Sequence, residues 1–88
     1  MEQRRLSVVR EHDFDDQLAR IVGDPIRADE FVAVAVEVLS IDPTIGIQID
    51  AADGLWSLPM APVADRQVTL YYTFDSQEVL LLFIASGE

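Results

Sequence analysis

The chain has 88 residues, with 6 Lys+Arg against 16 Asp+Glu and a formal net charge of −10. All six positive side chains are arginines, and lysine and cysteine are absent. Zinc-ribbon, disulfide-scaffold and thiol-catalysis classes fall with the cysteine count, and a polyanion of this density repels nucleic-acid backbones and anionic membranes.

Arg5 to Glu11 reads as a short first strand, with Leu6 and Val8 on one face. Asp13 then opens a helix whose apolar residues Phe14, Leu18, Ile21 and Val22 share one face. Asp13, Asp15 and Asp16 fall in its first turn, where free N–H groups and the helix dipole favour negative charge, and Gly23 closes it. Asp24-Pro25 starts a second helix, Asp as N-cap and Pro at the first helical position. The stretch that follows carries two periodicities. Val32, Val34, Val36 and Val38 alternate as in a strand, while Phe31, Val34, Ala35, Val38 and Leu39 recur as on a helical face. Its length and its N-terminal signal favour a helix over 25–41, stopped before Asp42-Pro43.

The remainder is strand-like. Ile45, Ile47 and Ile49 alternate with Gly46, Gln48 and Asp50, and Asp53-Gly54 is a hairpin-type turn. Leu55 to Leu58 forms a strand that Pro59 is expected to terminate, with a loop over Pro62 to Asp65. Val68, Leu70, Tyr72 and Phe74 then alternate with Gln67, Thr69, Tyr71 and Thr73, giving one buried and one polar-aromatic face. Asp75-Ser76-Gln77 turns the chain, and Glu78 to Ala85 is apolar on both faces, as expected of an interior strand covered on each side. The reading is a single α+β domain over 1–88, with two helices packed on one face of an antiparallel sheet. Its order is β-α-α followed by three or four strands, β-α-α-β-β-β in the shorter form. An apolar last strand implies that a partner or a second copy covers the opposite sheet face.

The layout of Leu39 and Asp42-Pro43, then Gly46, then Gly54-Leu55-Trp56-Ser57-Leu58, resembles the RelE/ParE toxin superfamily. The resemblance continues through Arg66, Tyr71-Tyr72 and the apolar run Val79 to Ile84. It implies a toxin of a bacterial type II toxin–antitoxin pair, held by an antitoxin wrapped around it. RelE-like members cleave messenger RNA on the ribosome, and ParE-like members poison DNA gyrase. Cleavage of that kind drives a 2′-hydroxyl onto the adjacent phosphate, so cations must stabilise the developing charge and another group must move protons.

Three features depart from the family's pattern. Pro59 follows Leu58, where members often carry a basic residue; Arg66 lies five residues before Tyr71; and the sequence ends in Ala85-Ser86-Gly87-Glu88 without a basic tail or a tyrosine or histidine there. Residues 28–88 hold one arginine against ten acids: Asp29, Glu30, Glu37, Asp42, Asp50, Asp53, Asp65, Asp75, Glu78 and Glu88. The expectation is therefore a toxin-like protein that acts through protein binding and not as a nuclease. The alternatives are a messenger-RNA endonuclease with an atypical site, and a non-toxic dimeric scaffold or regulatory module.

Arg66 is the one weak catalytic candidate; its plainer reading is an ion pair with Asp65 or another neighbouring acid. Tyr71, Trp56 and Arg66 are the partner-binding candidates. Tyr71 sits among polar residues and suits an interface, whereas Trp56 in so small a domain suits the core. His12 beside Asp13, Asp15 and Asp16 has the composition of an acid–base cluster, but helix-start chemistry explains the aspartates. Asp50 and Asp53 are likewise turn residues before they are a carboxylate pair. The arginines Arg4, Arg5, Arg10, Arg20 and Arg27 read as a salt-bridged surface in preference to a basic patch. No metal site or cofactor is expected. The expected partners are a cognate antitoxin, another protein or a second copy, with DNA, RNA and membrane disfavoured. With no signal-like apolar stretch after the first arginines and no long apolar run, the expected location is cytoplasmic.

Overall fold

The computed structural model describes residues 5–63 and 66–87. Its elements in chain order are β1 (Ser7–Arg10), α1 (Phe14–Val22), α2 (Pro25–Ile41), a 3-10 turn (Pro43–Ile45), β2 (Ile47–Asp50), β3 (Leu55–Val63), β4 (Arg66–Phe74) and β5 (Glu78–Gly87). The fold is α+β, with two helices over a five-stranded sheet of order β1-β5-β4-β3-β2. Two corrections to the sequence reading follow. Four strands come after the helices, one more than the β-α-α-β-β-β order has. The sheet is mixed and not antiparallel throughout, because β1 pairs parallel to β5 through Ser7↔Glu78 to Arg10↔Leu81.

Local signals set the helices. Gly23 closes α1 in the left-handed conformation (φ 75°) and donates its N–H to the Ala19 carbonyl at 2.9 Å. Asp24 caps α2, its Oδ1 accepting from the Ile26 N–H at 3.0 Å, with Pro25 in the first turn. Asp13 precedes α1 without a side-chain capping bond. Phe14 and Leu18 of α1 and Phe31, Ala35 and Leu39 of α2 reach the core. Val34, expected on that buried face, is 54% exposed. The valines of α2 run around the whole helix, and its fully buried apolar stripe runs through Phe31, Ala35 and Leu39, with Ala28 and Val32 packed at its margin.

The core lies between this helix pair and one sheet face, which contributes Met60, Val68, Leu70, Tyr72, Val79, Leu81 and Ile84. Tyr72 locks the sheet to the end of α2. Its buried hydroxyl donates to the Pro43 carbonyl at 2.6 Å and accepts from the Gly46 N–H at 3.2 Å. Gly46 is required there, because a Cβ would come within 2.4 Å of the Ser57 carbonyl oxygen and of the Tyr72 hydroxyl.

Pro59 does not terminate its strand, and Pro62 and Val63, expected in a loop, belong to β3. Strand β2 pairs with β3 only at Leu55, Trp56 and Ser57, so Pro59 lies where that side of β3 is an open edge. Pro62 falls at the register irregularity between Met60 and Val63. Edges and irregularities are where a residue without an N–H costs a sheet least. Asp65, Arg4 and Glu88, and with Asp65 the suggested ion pair to Arg66, lie outside the described residues. Among the described residues no helix is long and apolar enough to cross a membrane.

Candidate functional site: the open face of the sheet

Strand alternation sends Val68, Leu70 and Tyr72 toward the helices and Thr69, Tyr71 and Thr73 to the other face. Register then assembles a row across four strands on that second face: Ile47 opposite Ser57, Ser57 opposite Tyr71, and Tyr71 opposite Phe83. A second row runs Thr73, Leu80, Val9. The Tyr71 and Phe83 rings stack with centroids 4.6 Å apart, a separation at which aromatic pairs attract beyond their simple burial. Between Tyr71 and Ile47 the small, buried Ser57 leaves the row low at its centre.

Among the described residues no element covers this face. Phe83 is 38% exposed, Val9 43% and Ile47 61%, while Leu80 and Tyr71 are half-buried. The last strand is interior to the sheet, as its composition implies, but only one of its faces is covered, by Val79, Leu81 and Ile84 packing toward the helices. A register shift makes the second face possible. Tyr71 opposes Phe83 and Tyr72 opposes Leu81, so Leu82 is the extra residue of a bulge that keeps Phe83 beside Tyr71 and Leu81 in the core.

Acids gather at one end of the face. Asp50 ends β2 and Asp53 lies in the β2–β3 turn, while Asp75 lies in the β4–β5 turn and Glu78 begins β5. Asp50 Oδ1 accepts from the N–H groups of Ala52 and Asp53, and Asp75 Oδ1 from those of Gln77 and Glu78 at 2.7 and 2.9 Å. Those two N–H bonds hold the exposed Asp75 carboxyl below its ordinary pKa. The Asp50 side chain thus forms its turn, as the sequence implied, and Asp53 lies within that turn and donates its backbone N–H to it.

The three partner-binding candidates do not form one cluster. Tyr71 is on the open face. Trp56 is on the opposite face, half-buried with its ring 5.3 Å from Phe74 and 6.4 Å from Tyr72, so it belongs to the core edge and not to the open face. Arg66 is exposed at the first residue of β4, five residues and about 16 Å along the strand from Tyr71. His12 is exposed, 3.9 Å from Asp13, and Arg10 bridges Asp15 at 3.1 Å. Arg5 pairs with Glu37 at 3.1 Å and Arg27 lies 3.9 Å from Asp24, so that with Arg10 three of the N-terminal arginines are ion-paired, whereas Arg20 makes no ion pair among the described residues. Among the described residues no group of three His, Cys, Asp or Glu side chains is arranged to hold a metal ion.

Phe83, Ile47, Leu80 and Val9 complete the face, and none of them was singled out from sequence. The available signal was the two-sided apolar character of β5 together with the Ile47/Ile49 alternation. No family model matches the chain, and no curated protein matches it.

Proposed function

We propose that the chain is a RelE/ParE-like toxin-family protein of a bacterial type II toxin–antitoxin pair that acts by binding protein and not by cutting RNA. The observation that carries the reading is the open sheet face, an apolar aromatic row left in solvent and bordered by carboxylates. Uncovered apolar surface rimmed by polar groups marks an interaction site. The acids at its end favour a partner that brings cationic side chains beside its apolar anchors. A phosphodiester backbone would meet repulsion there.

The distribution of chemistry supports the second half of the proposal. RNA cleavage requires cations and a proton-transfer group converging on one phosphate. Arg66 stands at one end of β4, while His12 follows β1 on the far side of the sheet order. The β-α-α entry into a strand meander is the layout that the resemblance implies, and it supports the family half of the reading. The natural partner is then a cognate antitoxin carrying an apolar, positively charged segment.

Controlled expression of the chain in bacteria tests this, with and without the product of its neighbouring gene. Growth arrest relieved by that product, with which the chain co-purifies, is the expected result. Absence of both arrest and a co-purifying product overturns the toxin reading. Arrest accompanied by messenger-RNA cleavage that Arg66→Ala abolishes overturns the non-nucleolytic one.

A further inference from the structure

We propose that the open face seats one amphipathic α-helix laid along the strands, with apolar residues over the Tyr71–Phe83 row and a Lys or Arg about two turns away at Glu78. This rests on the partner-binding role of the open face proposed above, and not on the toxin reading.

The size of the face decides the kind of occupant. Beyond the Tyr71 row lies a third row, Pro59 opposite Thr69 and Thr69 opposite Ala85. None of the three rows carries a charge. At about 4.8 Å per strand and 3.3 Å per residue, the uncharged area is about 14 Å across the strands and 13 Å along them. A helix with its side chains is about 10–12 Å wide, so one helix covers it. A second folded copy needs about 800 Å² per partner, roughly twice what this patch offers with its side-chain margins, and would bring a further net charge of −10. An extended segment binds along a sheet edge through main-chain hydrogen bonds, which a face does not offer.

Glu78 sets the direction. Val79 and Leu81 point to the helices, so alternation puts Glu78 on the same face as Leu80. Its side chain is exposed and makes no hydrogen bond or ion pair among the described residues. Asp75 and Asp53 add to the negative field at that end. Arg5, two residues before Ser7 at the same end, is held by Glu37 of α2. Along β4 and β5 the opposite end finishes in the uncharged pair Gln67 and Gly87, and the preceding Arg66 alternates to the helix side. A cation on the partner is therefore drawn to one end only. Asp75 donates its N–H to the Glu78 carbonyl at 3.0 Å, and Tyr71 lies four residues before Asp75, about 13 Å along the strand. A helix rises 1.5 Å per residue. The cation that meets Glu78 thus lies about seven to nine residues from the apolar anchor that settles beside Tyr71, over the low centre at Ser57.

Two synthetic peptides of about 20 residues with high helix propensity test this on the purified full chain. Each carries three leucines on one face; on that face, about seven residues beyond the middle leucine, one peptide has Arg and the other Glu. Fluorescence anisotropy reads affinity, and circular dichroism reads the helix gained on binding. The Arg peptide is expected to bind wild type as a helix, at least about tenfold more tightly than the Glu peptide. Glu78→Arg should reverse that preference, and Phe83→Ser should weaken both peptides. The comparison on wild type needs no variant and stands however the variants fold. Failure of either peptide to bind, equal affinity of the two, a preference that a folded Glu78→Arg leaves unchanged, binding without gain of helix, or dimerisation of the chain in place of peptide binding each overturns the proposal. A chain that binds the Arg peptide but never arrests growth overturns the toxin reading alone. One that arrests growth and shows no peptide preference overturns this proposal alone.

Discussion

Tyr72→Phe removes one oxygen atom and with it the tie between the sheet and the segment leaving α2. The hydroxyl serves both the Pro43 carbonyl and the Gly46 N–H, and the phenyl ring that replaces it serves neither. A single hydrogen bond contributes about 0.5–1.5 kcal/mol net and an orphaned buried partner costs about 1–3 kcal/mol. With Pro43 and Gly46 only half-buried, so that water partly replaces the lost partner, the expected loss is about 2 kcal/mol. At about 4–8 °C per kcal/mol for a domain of this size, Tm falls by about 8–16 °C. Thermal and urea unfolding followed by circular dichroism read the change. Alkaline titration gives an independent check on Tyr72, because the chain has no lysine or cysteine side chain to obscure it. Burial, with a smaller push from the Asp42 charge, raises the Tyr72 pKa above 10.0, although the Gly46 hydrogen bond works in the opposite direction. Its contribution to stability is therefore fully present below the unfolded value of about 10 and is lost as pH rises through the higher folded value. The wild type loses stability over that window, and Tyr72→Phe, though less stable at neutral pH, loses less. A Tm within about two degrees of wild type, or an unchanged alkaline slope, refutes the assigned role of the hydroxyl.

Gly46→Ala puts a methyl group 2.4 Å from the Ser57 carbonyl oxygen and the Tyr72 hydroxyl; since backbone must shift, the urea midpoint should fall by the equivalent of about 2–3 kcal/mol. Asp24→Ala strips the N-cap of α2 and should cost about 1 kcal/mol in the same assay, with Asp24→Ser largely restoring it. The Asp75 carboxyl has a lowered pKa from the Gln77 and Glu78 N–H bonds. Its contribution to stability is present above 3.8 and is lost as pH falls through the lower folded value. The acid limb of the stability curve should therefore flatten in Asp75→Ser.

Local chemistry made much of the fold legible. Gly23, Asp24-Pro25 and Asp42-Pro43 mark helix ends because caps and proline act within a few residues, and all three lie where the helices stop or start. The parallel pairing of β1 with β5 was not legible, since nothing in residues 7–10 records a partner some seventy positions away. Pro59 misled for the same reason: whether a proline breaks a strand depends on which neighbour the strand has there, and β2 stops pairing at Ser57. The placement of Tyr71 on the open face was readable from its polar neighbours Thr69 and Thr73. Its stacking mate Phe83 was hidden inside an apolar run, because a bulge at Leu82 changes which residues face out. Trp56 was ambiguous by composition, and pairing opposite the buried Tyr72 decides its side.

Binding through the open face without RNA cleavage is tested by comparing three forms of the chain in cells: wild type, Arg66→Ala and Phe83→Ser. Partner retention and the integrity of total messenger RNA are measured in each. Messenger RNA should stay intact in all three, and the partner should be retained by wild type and Arg66→Ala. In Phe83→Ser retention should fall by about tenfold or more, as for an interface anchor, while the fold survives because the ring is not in the core. Messenger RNA cut by wild type and spared by Arg66→Ala, or a partner held equally well by Phe83→Ser, would contradict this mode of action.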